Sequence, residues 1–343
     1  MNSYYKNYDF IEFKNLLKAA TKCMRGVRWK TSVTSYEMNK LKNTTKLVNE
    51  LMSDEYRISD YQVFEIYEPK KRTILATKLR DRQVQRSLCD NYLYDEITRH
   101  FIYDNCACQK GKGTHFAVNR LKIHLQKMYR TKKSNNFYYL KCDIHHFFES
   151  INHEMLKNIL NKKVRNDRCR KMIFEIIDSF GESGLGLGSQ VSQLLALLYI
   201  DPLDHYIKEK LHIKHYVRYM DDFILLHEDK EYLNHCNKEI QKFLDDYKLT
   251  LNSKTCLQPI KKSVVFLNFR YCVSDSGKVT ISSSKKKIAQ RRRKLKKIIN
   301  LYHKNKLTKN DVKLTLRGML AHLNKYNTIK ERNQLIEIYL SSI

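Results

Sequence analysis

The amino-acid sequence predicts an α+β fold, because helix-like segments at both ends of the chain flank a centre in which strands and helices alternate. Residues 1–60 are polar and helical in pattern, as in the amphipathic stretch Phe10–Met24, and residues 271–343 are helix-like and very basic. Residues 61–136 begin strand-like and become helix-like and basic, whereas residues 137–270 alternate between the two patterns. The chain holds only 9 Gly and 3 Pro, so we expect these four regions to be joined without long flexible linkers.

The charge of the chain indicates a polyanionic partner. Its 343 residues include 65 Lys and Arg against 36 Asp and Glu, which gives a net charge of +29. Such a field attracts nucleic acid first and a membrane surface second. No apolar run is long enough to span a membrane and the N-terminus lacks the apolar core of a signal peptide, so we expect a cytoplasmic protein without a membrane partner. The nine cysteines show no paired CxxC spacing, which argues against a zinc site.

Three aspartates of the central region lie at the ends of strand-like segments. Asp221 and Asp222 are adjacent in YVRYMDDFILL, where the flanking runs read as a hairpin, and Asp143 ends the strand-like segment FYYLKCD. The simplest alternatives are a solvated turn for the pair and a helix N-cap for Asp143. If the strands are neighbours in one sheet, three carboxylates meet at its edge, and their mutual repulsion calls for bound cations. Hard oxygen ligands select Mg²⁺ or Mn²⁺, and two such ions indicate phosphoryl transfer.

Four segments resemble the motifs of reverse transcriptases, in the same order along the chain. DIHHFFESI, which begins at Asp143, resembles the motif that supplies their first aspartate, and Tyr219–Asp222 (YMDD) resembles their metal-binding motif. Leu187–Gln193 (LGSQVSQ) is similar to the motif between them, and residues 251–271 resemble the lysine-containing segment followed by the primer-grip turn. The resemblance covers nearly everything after about residue 60 and implies a right-hand polymerase.

In that fold, residues 1–60 are an N-terminal extension and residues 61–136 are the fingers. Residues 137–270 are a palm whose antiparallel sheet carries the catalytic site, and residues 271–343 are a helical thumb. The implied activity is RNA-directed DNA synthesis.

The resemblance is finest to the reverse transcriptases of diversity-generating retroelements, through RDRQVQRSL, CACQKGKGTH and TLRGMLAHLNKYNT as well as the Leu187–Gln193 motif. Reverse transcriptases of antiphage defence systems share parts of this pattern. Two positions depart from it: the primer-grip turn has Asn268 where glycine is usual, and Gly318-Met319 stands where an aromatic residue often occurs. Asparagine is the residue after glycine that best tolerates a positive φ, so we expect the turn to form.

The resemblance implies a role for each matching position. Asp143, Asp221 and the backbone carbonyl of Ile144 would hold two Mg²⁺ ions, with Mn²⁺ as an alternative, and Asp222 would be a weaker ligand or a nearby charge. Phe148 would place its ring against the sugar 2′ position and so select deoxynucleotides, although any single Phe is as readily a core residue.

Further positions would bind the incoming deoxynucleoside triphosphate and the primer. The triphosphate would meet Lys71 and Arg72, the floor under the nascent base pair would be lined by Gly188, Ser192 and Gln193, and Lys254 would protonate the leaving pyrophosphate. The primer-grip turn is formed by Phe266, Leu267, Asn268 and Phe269.

Basic residues outside these motifs are candidates for nucleic-acid contacts. Lys112 lies between two glycines ahead of a helix-like run, a weak signal for a phosphate-binding turn. The thumb segment has cations that would meet phosphates and an apolar side that would pack; the cations are Lys285, Lys286, Lys287, Arg291, Arg292, Arg293 and Lys294. Acidic residues after Tyr271 are too dispersed for an RNase H site.

The sequence therefore predicts a reverse transcriptase that makes cDNA from a cognate template or noncoding RNA. We expect accessory protein subunits or a homo-oligomer, because the charge exceeds what one primer–template duplex requires. Two alternatives differ in function. One is a defence polymerase whose synthesis is templated by a noncoding RNA, protein-primed or template-independent, and the other is a catalytically silent RNA-binding protein on a polymerase fold.

Overall fold

The computed structural model describes residues 10–67, 71–324 and 326–343. Its helices are α1 (Phe13–Cys23), α2 (Thr31–Met38), α3 (Lys40–Met52), α4 (Leu79–Leu88), α5 (Tyr94–Thr98), α6 (Thr114–Lys132), α7 (His153–Lys163), α8 (Asp167–Asp178), α9 (Gln190–His205), α10 (Lys230–Asp246), α11 (Lys285–His303), α12 (Lys309–Leu323) and α13 (Ile329–Leu340). Its strands are β1 (Gln62–Ile66), β2 (Arg72–Ala76), β3 (Tyr138–Asp143), β4 (His215–Tyr219), β5 (Asp222–His227), β6 (Cys256–Pro259), β7 (Val264–Phe266), β8 (Phe269–Val273) and β9 (Val279–Ser283).

The described residues divide into two compact units. The first contains the residues up to Lys110 together with Asp143–His212 and Lys238–Ser253, and the second contains Gly111–Cys142, Ile213–Asn237 and Lys254–Ile343. Each unit therefore combines segments that are distant in sequence. The four-part division into extension, fingers, palm and thumb stays a prediction.

The core of the first unit is built around α9. This helix is apolar on nearly all sides, with Leu194, Leu195, Leu197 and Leu198 each 1% exposed or less, so it requires partners all round. Helices α4, α5 and α7 supply them. Helix α1 packs against α3 and α4 through its apolar stripe, which bears out the helical pattern predicted for the N-terminal region; the first nine residues lie outside the described ranges.

The second unit contains the central sheet, whose strand order is β4-β5-β3-β6. Strands β4 and β5 form an antiparallel hairpin and β3 pairs antiparallel with β6. The hairpin predicted around Asp221 and Asp222 is confirmed. Helix α6 packs against β4 and β5 and also contacts the separate β7-β8-β9 sheet. Helices α11, α12 and α13 enclose an apolar cluster that includes Leu295, Val312 and Leu335.

Among the residues that the structure describes, no helix is both long enough and apolar enough to cross a membrane.

Candidate active site

The turn that carries Asp221 is held from below by a buried arginine. Tyr219 and Asp222 are paired in the β4–β5 register, so Met220 and Asp221 form a two-residue loop. Met220 has a φ of 56°, a left-handed conformation that costs energy for a side chain of this size. Arg218 is 0% exposed and its guanidinium donates a 3.0 Å hydrogen bond to the Met220 carbonyl. A charge fixed inside the sheet therefore sets the direction of the Asp221 backbone.

A lysine of β3 contacts the carboxylate of Asp222. The Lys141 Nζ lies 3.5 Å from Asp222 Oδ2 and donates a 3.0 Å hydrogen bond to the Val265 carbonyl. Both side chains of the ion pair are about three-quarters buried, at 26% and 21% exposure, so water screens this attraction less than it screens a surface pair. Lys141 thus balances one negative charge of the YMDD turn. Sequence reasoning found neither Lys141 nor Arg218.

The segment after Asp143 is held by backbone pairing. Ile144 forms an antiparallel bridge with Leu251, flanked by hydrogen bonds from Asn252 N to the Asp143 carbonyl at 2.7 Å and from His145 N to the Thr250 carbonyl at 2.9 Å. Neither of the two bonds uses the carbonyl of Ile144, as is usual at a non-hydrogen-bonded pair. This carbonyl and the half-buried carboxylate of Asp143 are hard oxygen donors, the kind of ligand that Mg²⁺ prefers.

The three carboxylates among the predicted metal ligands are divided between the compact units. Asp143 belongs to the first unit, and Asp221 and Asp222 belong to the second. In the part of the chain that the structure describes, no group of three or more His, Cys, Asp or Glu side chains is arranged to hold a metal ion. The two-metal site therefore stays a prediction, and the chemistry of its oxygen donors fits Mg²⁺ or Mn²⁺.

Phe148 lies at the edge of the core rather than inside it. Its ring is half-buried, whereas the neighbouring Phe147 is 3% exposed and fills the core position. The Phe148 carbonyl accepts a 2.8 Å hydrogen bond from Leu185 N. Gly184 makes this approach possible, because a Cβ there would lie 2.9 Å from the carbonyl oxygen of Glu149, and its φ of +78° also favours glycine.

His153 completes the support of this loop. Its Nε2 donates a 2.6 Å hydrogen bond to the Gly184 carbonyl from a buried position at the start of α7. The loop that fixes Phe148 is therefore itself fixed by α7.

The β1–β2 hairpin contacts the loop before α9 within the first unit. A Cβ at Gly186 would lie 3.1 Å from Leu75 Cδ1, and one at Gly188 would lie 3.6 Å from Ile74 Cγ2. Strand β2 therefore runs beside the loop predicted to form the floor of the base pair. Arg72, at the start of β2, is exposed.

The other predicted nucleotide contacts differ in their availability. Lys71 Nζ forms a 2.8 Å ion pair with Glu65 across the β1–β2 hairpin. Gln193 is exposed and accepts a hydrogen bond from Cys108 Sγ at 3.4 Å, whereas Ser192 is 0% exposed and lies beneath the surface. A cleft of about 160 Å³ beside Gly188 is also lined by two arginines that sequence reasoning did not single out, Arg82 and Arg86.

In the second unit, the predicted primer-grip turn forms a tight hairpin. Phe266 and Phe269 are paired across β7 and β8, and the two residues between them, Leu267 and Asn268, have φ values of 50° and 69°. Two consecutive positive φ values are typical of a type I′ turn. The expectation that Asn268 accepts a positive φ is confirmed. The Asn268 carbonyl accepts a 2.9 Å hydrogen bond from Ser284 N, which ties the turn to the start of α11.

The remaining basic candidates of this unit are Lys254, Lys112 and the cations of α11. Lys254 is exposed just before β6, and the Lys112 Nζ lies 5.6 Å from the centre of the Phe116 ring. On α11, Lys285, Lys286, Arg293 and Lys294 are exposed and Lys287 and Arg292 are half-buried.

Arg291 differs from its neighbours on α11. It is 7% exposed, its Nη1 lies 2.6 Å from Glu331 Oε1 on α13, and it also donates to Ser283 Oγ at 2.8 Å. A phosphate contact predicted at Arg291 does not fit this buried position, because helix periodicity places residue 291 on the same face as Leu295, toward the apolar cluster of α11, α12 and α13.

Comparisons with known proteins show which family and which proteins the chain resembles. A family model described as "Reverse transcriptase (RNA-dependent DNA polymerase)" matches residues 68–271. The "Putative COX1/OXI3 intron 2 protein" of Saccharomyces cerevisiae is 26% identical over 48% of this chain, and the chain spans 20% of that protein.

Two solved telomerase structures are similar in fold. Apo telomerase from Candida tropicalis matches with a TM-score of 0.50 and 13% identity over 65% of this chain and 48% of its own. Telomerase from Candida albicans, solved in complex with a TWJ fragment of telomeric RNA, matches with a TM-score of 0.52 and 12% identity over 67% and 46%. The chain thus spans about half the length of these structures, and the likeness shows a shared polymerase fold.

Proposed function

Because the chain belongs to the reverse transcriptase (RNA-dependent DNA polymerase) family, we propose that it is an RNA-directed DNA polymerase that uses two Mg²⁺ ions. The observation that carries this proposal is the YMDD hairpin, in which buried Arg218 holds a strained turn and Lys141 balances Asp222. A solvated surface turn has no need of a fully buried arginine, whose desolvation is costly. A turn that presents Asp221 in one fixed direction has a reason to keep it.

The chemistry assigns a task to each group of residues. Asp143, Asp221 and the Ile144 carbonyl would hold the metal ions, which supply a lowered pKa for the attacking 3′-hydroxyl and stabilise the charge on phosphorus. Arg72 would bind the triphosphate through two donors and Lys254 would give a proton to the pyrophosphate. Phe148, held by Leu185 and Gly184, would exclude the ribose 2′-hydroxyl by bulk.

The template is proposed to be a structured noncoding RNA of a diversity-generating retroelement, in the cytoplasm and with accessory subunits or a second copy of the chain. The motifs RDRQVQRSL and CACQKGKGTH support this choice, and the net charge of +29 favours a partner larger than a short duplex. A defence polymerase would share the site and differ in its RNA. A catalytically silent RNA-binding protein would have no use for a clamp around Phe148 or a buried arginine under Asp221.

The proposal is tested by primer extension with the purified full chain. A DNA or RNA primer on an RNA template should be extended with deoxynucleotides in Mg²⁺, and chelation with EDTA should stop the reaction. Where a noncoding RNA is encoded beside the gene, its addition should increase specific priming. Binding of that RNA without any extension, under Mg²⁺ or Mn²⁺, would instead identify the silent RNA-binding protein.

A further inference from the structure

An exposed tryptophan lies in a basic part of the N-terminal region, outside the polymerase motifs. Trp29 is the only tryptophan of the chain and 78% of it is exposed. It lies in the turn between α1 and α2, and the Lys30 Nζ lies 5.3 Å from the centre of its ring. A ring of this size left in water is costly, and exposed aromatic side chains among cations are a common feature of sites that stack nucleic-acid bases.

A polar groove is formed by the two helices that follow this turn. It has a volume of about 420 Å³ and is lined by hydroxyl, amide and ammonium groups from α2 and α3, those of Ser32, Ser35, Tyr36, Asn39, Lys42 and Asn43. Ser32 follows Trp29 by three residues, so the Cα atoms of these two residues are at most about 10 Å apart. We call Trp29, Lys30 and these six groove residues the Trp29 surface.

The Trp29 surface is held firmly by the residues beneath it. Val33 of α2 packs with Ala20 of α1 and with Met24 just after that helix, and the Tyr36 hydroxyl donates a 2.7 Å hydrogen bond to the buried Gln83. Arg28 pairs with Glu37 at 2.9 Å and so closes the turn around Trp29. Helix α2 and the part of the groove that it lines are therefore tied to α1 and α4, which limits the conformational entropy that this helix loses on binding.

The charge of this region selects the partner. Residues 25–46 contain six Lys and Arg but a single acidic residue, Glu37, which is already paired with Arg28. Helix α2 begins without a side-chain cap or an acidic residue in its first turn, so its N-terminal N–H groups add to the positive potential. We infer that the Trp29 surface binds single-stranded RNA, with a base stacked on Trp29 and the adjoining phosphates on Lys30 and Lys42.

The groove hydroxyls of Ser32 and Ser35 can hydrogen-bond a base edge or a ribose 2′-hydroxyl, a group that DNA lacks. The Tyr36 hydroxyl and the amide nitrogens of Asn39 and Asn43 donate to acceptors within the protein. This inference deepens the proposed function, on which it rests for the identity of the nucleic acid. It adds an RNA contact of the N-terminal region that requires none of the metal or nucleotide residues.

The single tryptophan makes the inference directly measurable. Excitation near 295 nm reports Trp29 alone, because tyrosine absorbs little there. A 12-nucleotide single-stranded RNA of mixed sequence should quench the emission of the unlabelled full chain in the absence of nucleotides. Inorganic polyphosphate, which has charge but no bases, should leave the emission unchanged, and single-stranded DNA of the same sequence should quench at higher concentration.

Variants separate stacking from charge. Trp29→Ala should weaken binding of the same RNA by about 5- to 100-fold in a filter-binding assay, as expected for one stacked base, and Trp29→Phe should restore part of that loss. Tyr103→Ala, which removes a comparably exposed aromatic ring (63%), is the matched control and should bind normally. Unchanged melting temperatures for all three variants would exclude a folding effect.

Two results would overturn the inference. One is RNA binding that neither quenches Trp29 nor responds to Trp29→Ala. The other is quenching that increases with protein concentration in the absence of RNA and disappears in a Met38→Ala/Leu41→Ala variant. That result would identify the exposed apolar side chains of α2 and α3 as a contact between copies of the chain. The quenching assay contains no nucleotides, so its result does not depend on polymerase activity. Quenching by RNA, together with no extension in the separate primer-extension assay, would refute the polymerase and leave this RNA site standing.

Discussion

The YMDD hairpin and helix α11 both carry charged side chains, but these side chains differ in how far they are buried and paired. In the hairpin a few charges are fixed by buried partners: Arg218 fixes the Asp221 turn and Lys141 contacts Asp222. On α11 most cations stand in or near solvent, and Arg291 is the charge that is locked inside. We infer that the hairpin depends on the exact placement of one carboxylate. Helix α11 instead attracts nucleic acid through the combined field of several cations, none of which is essential alone.

The largest expected effect comes from neutralising Asp221, whose position in the YMDD hairpin is fixed. Asp221→Asn should reduce primer extension in Mg²⁺ by on the order of a thousandfold or more, because the proposed metal ligand, worth several kcal/mol, would be lost. RNA affinity, measured by filter binding, should change less than about threefold, because the basic surface is intact.

Asp246→Asn is the matched control, since Asp246 is exposed near the end of α10 and has no part in the predicted site. Its primer extension should equal that of the parental chain. Near-parental extension by Asp221→Asn would remove Asp221 from the metal site.

The second effect concerns Arg291, the buried cation of α11 that is paired with Glu331. Arg291→Ala should lower the free energy of unfolding by about 3–5 kcal/mol, because Glu331 is left buried without its partner. Urea denaturation measures this loss. Arg293→Ala is the control, because its exposed side chain should change stability by less than about 0.5 kcal/mol. Equal free energies of unfolding for both variants would show that Arg291 behaves like the exposed cations of α11.

How much of this the sequence could predict depends on the range of the interaction. The Asp221 hairpin, the helical N-terminal region and the positive φ of Asn268 follow from local patterns of apolar residues and backbone preference. Arg218 and Lys141 could not be found in this way, because a cation inside a strand reads as a solvent-facing position until the neighbouring strand is known.

Arg291 was misjudged for a related reason. Counted as one of a run of cations, it belongs to the surface; counted by helix phase with Leu295, it belongs to the core. Charge composition outweighed periodicity in that prediction. Trp29 went unnoticed because a lone tryptophan is usually buried, and only its 78% exposure makes it informative.

A third, smaller effect concerns substrate selection by position. Phe148→Ala should raise the kcat/KM for ribonucleotides relative to deoxynucleotides by roughly tenfold to a hundredfold, because the half-buried ring is replaced by space for the 2′-hydroxyl. Single-nucleotide extension with paired ribo- and deoxynucleotides measures the ratio. Phe148→Tyr keeps the ring and should keep the parental ratio. An unchanged ratio in Phe148→Ala would show that the ring packs without touching substrate.

The smallest effect is expected from a single change of the α11 field. Arg293→Glu should weaken RNA binding only a few-fold at moderate salt, and it should reduce the slope of log K against log salt by about one unit, since roughly one phosphate contact is lost. Arg293→Lys preserves the charge and should leave the slope unchanged. Adding Lys294→Glu should lower the slope by about the same amount again, because the exposed cations act independently. A collapse of binding on the first reversal, with the slope unaffected, would mean that Arg293 recognises one particular group, and α11 would then act by position as the YMDD hairpin does.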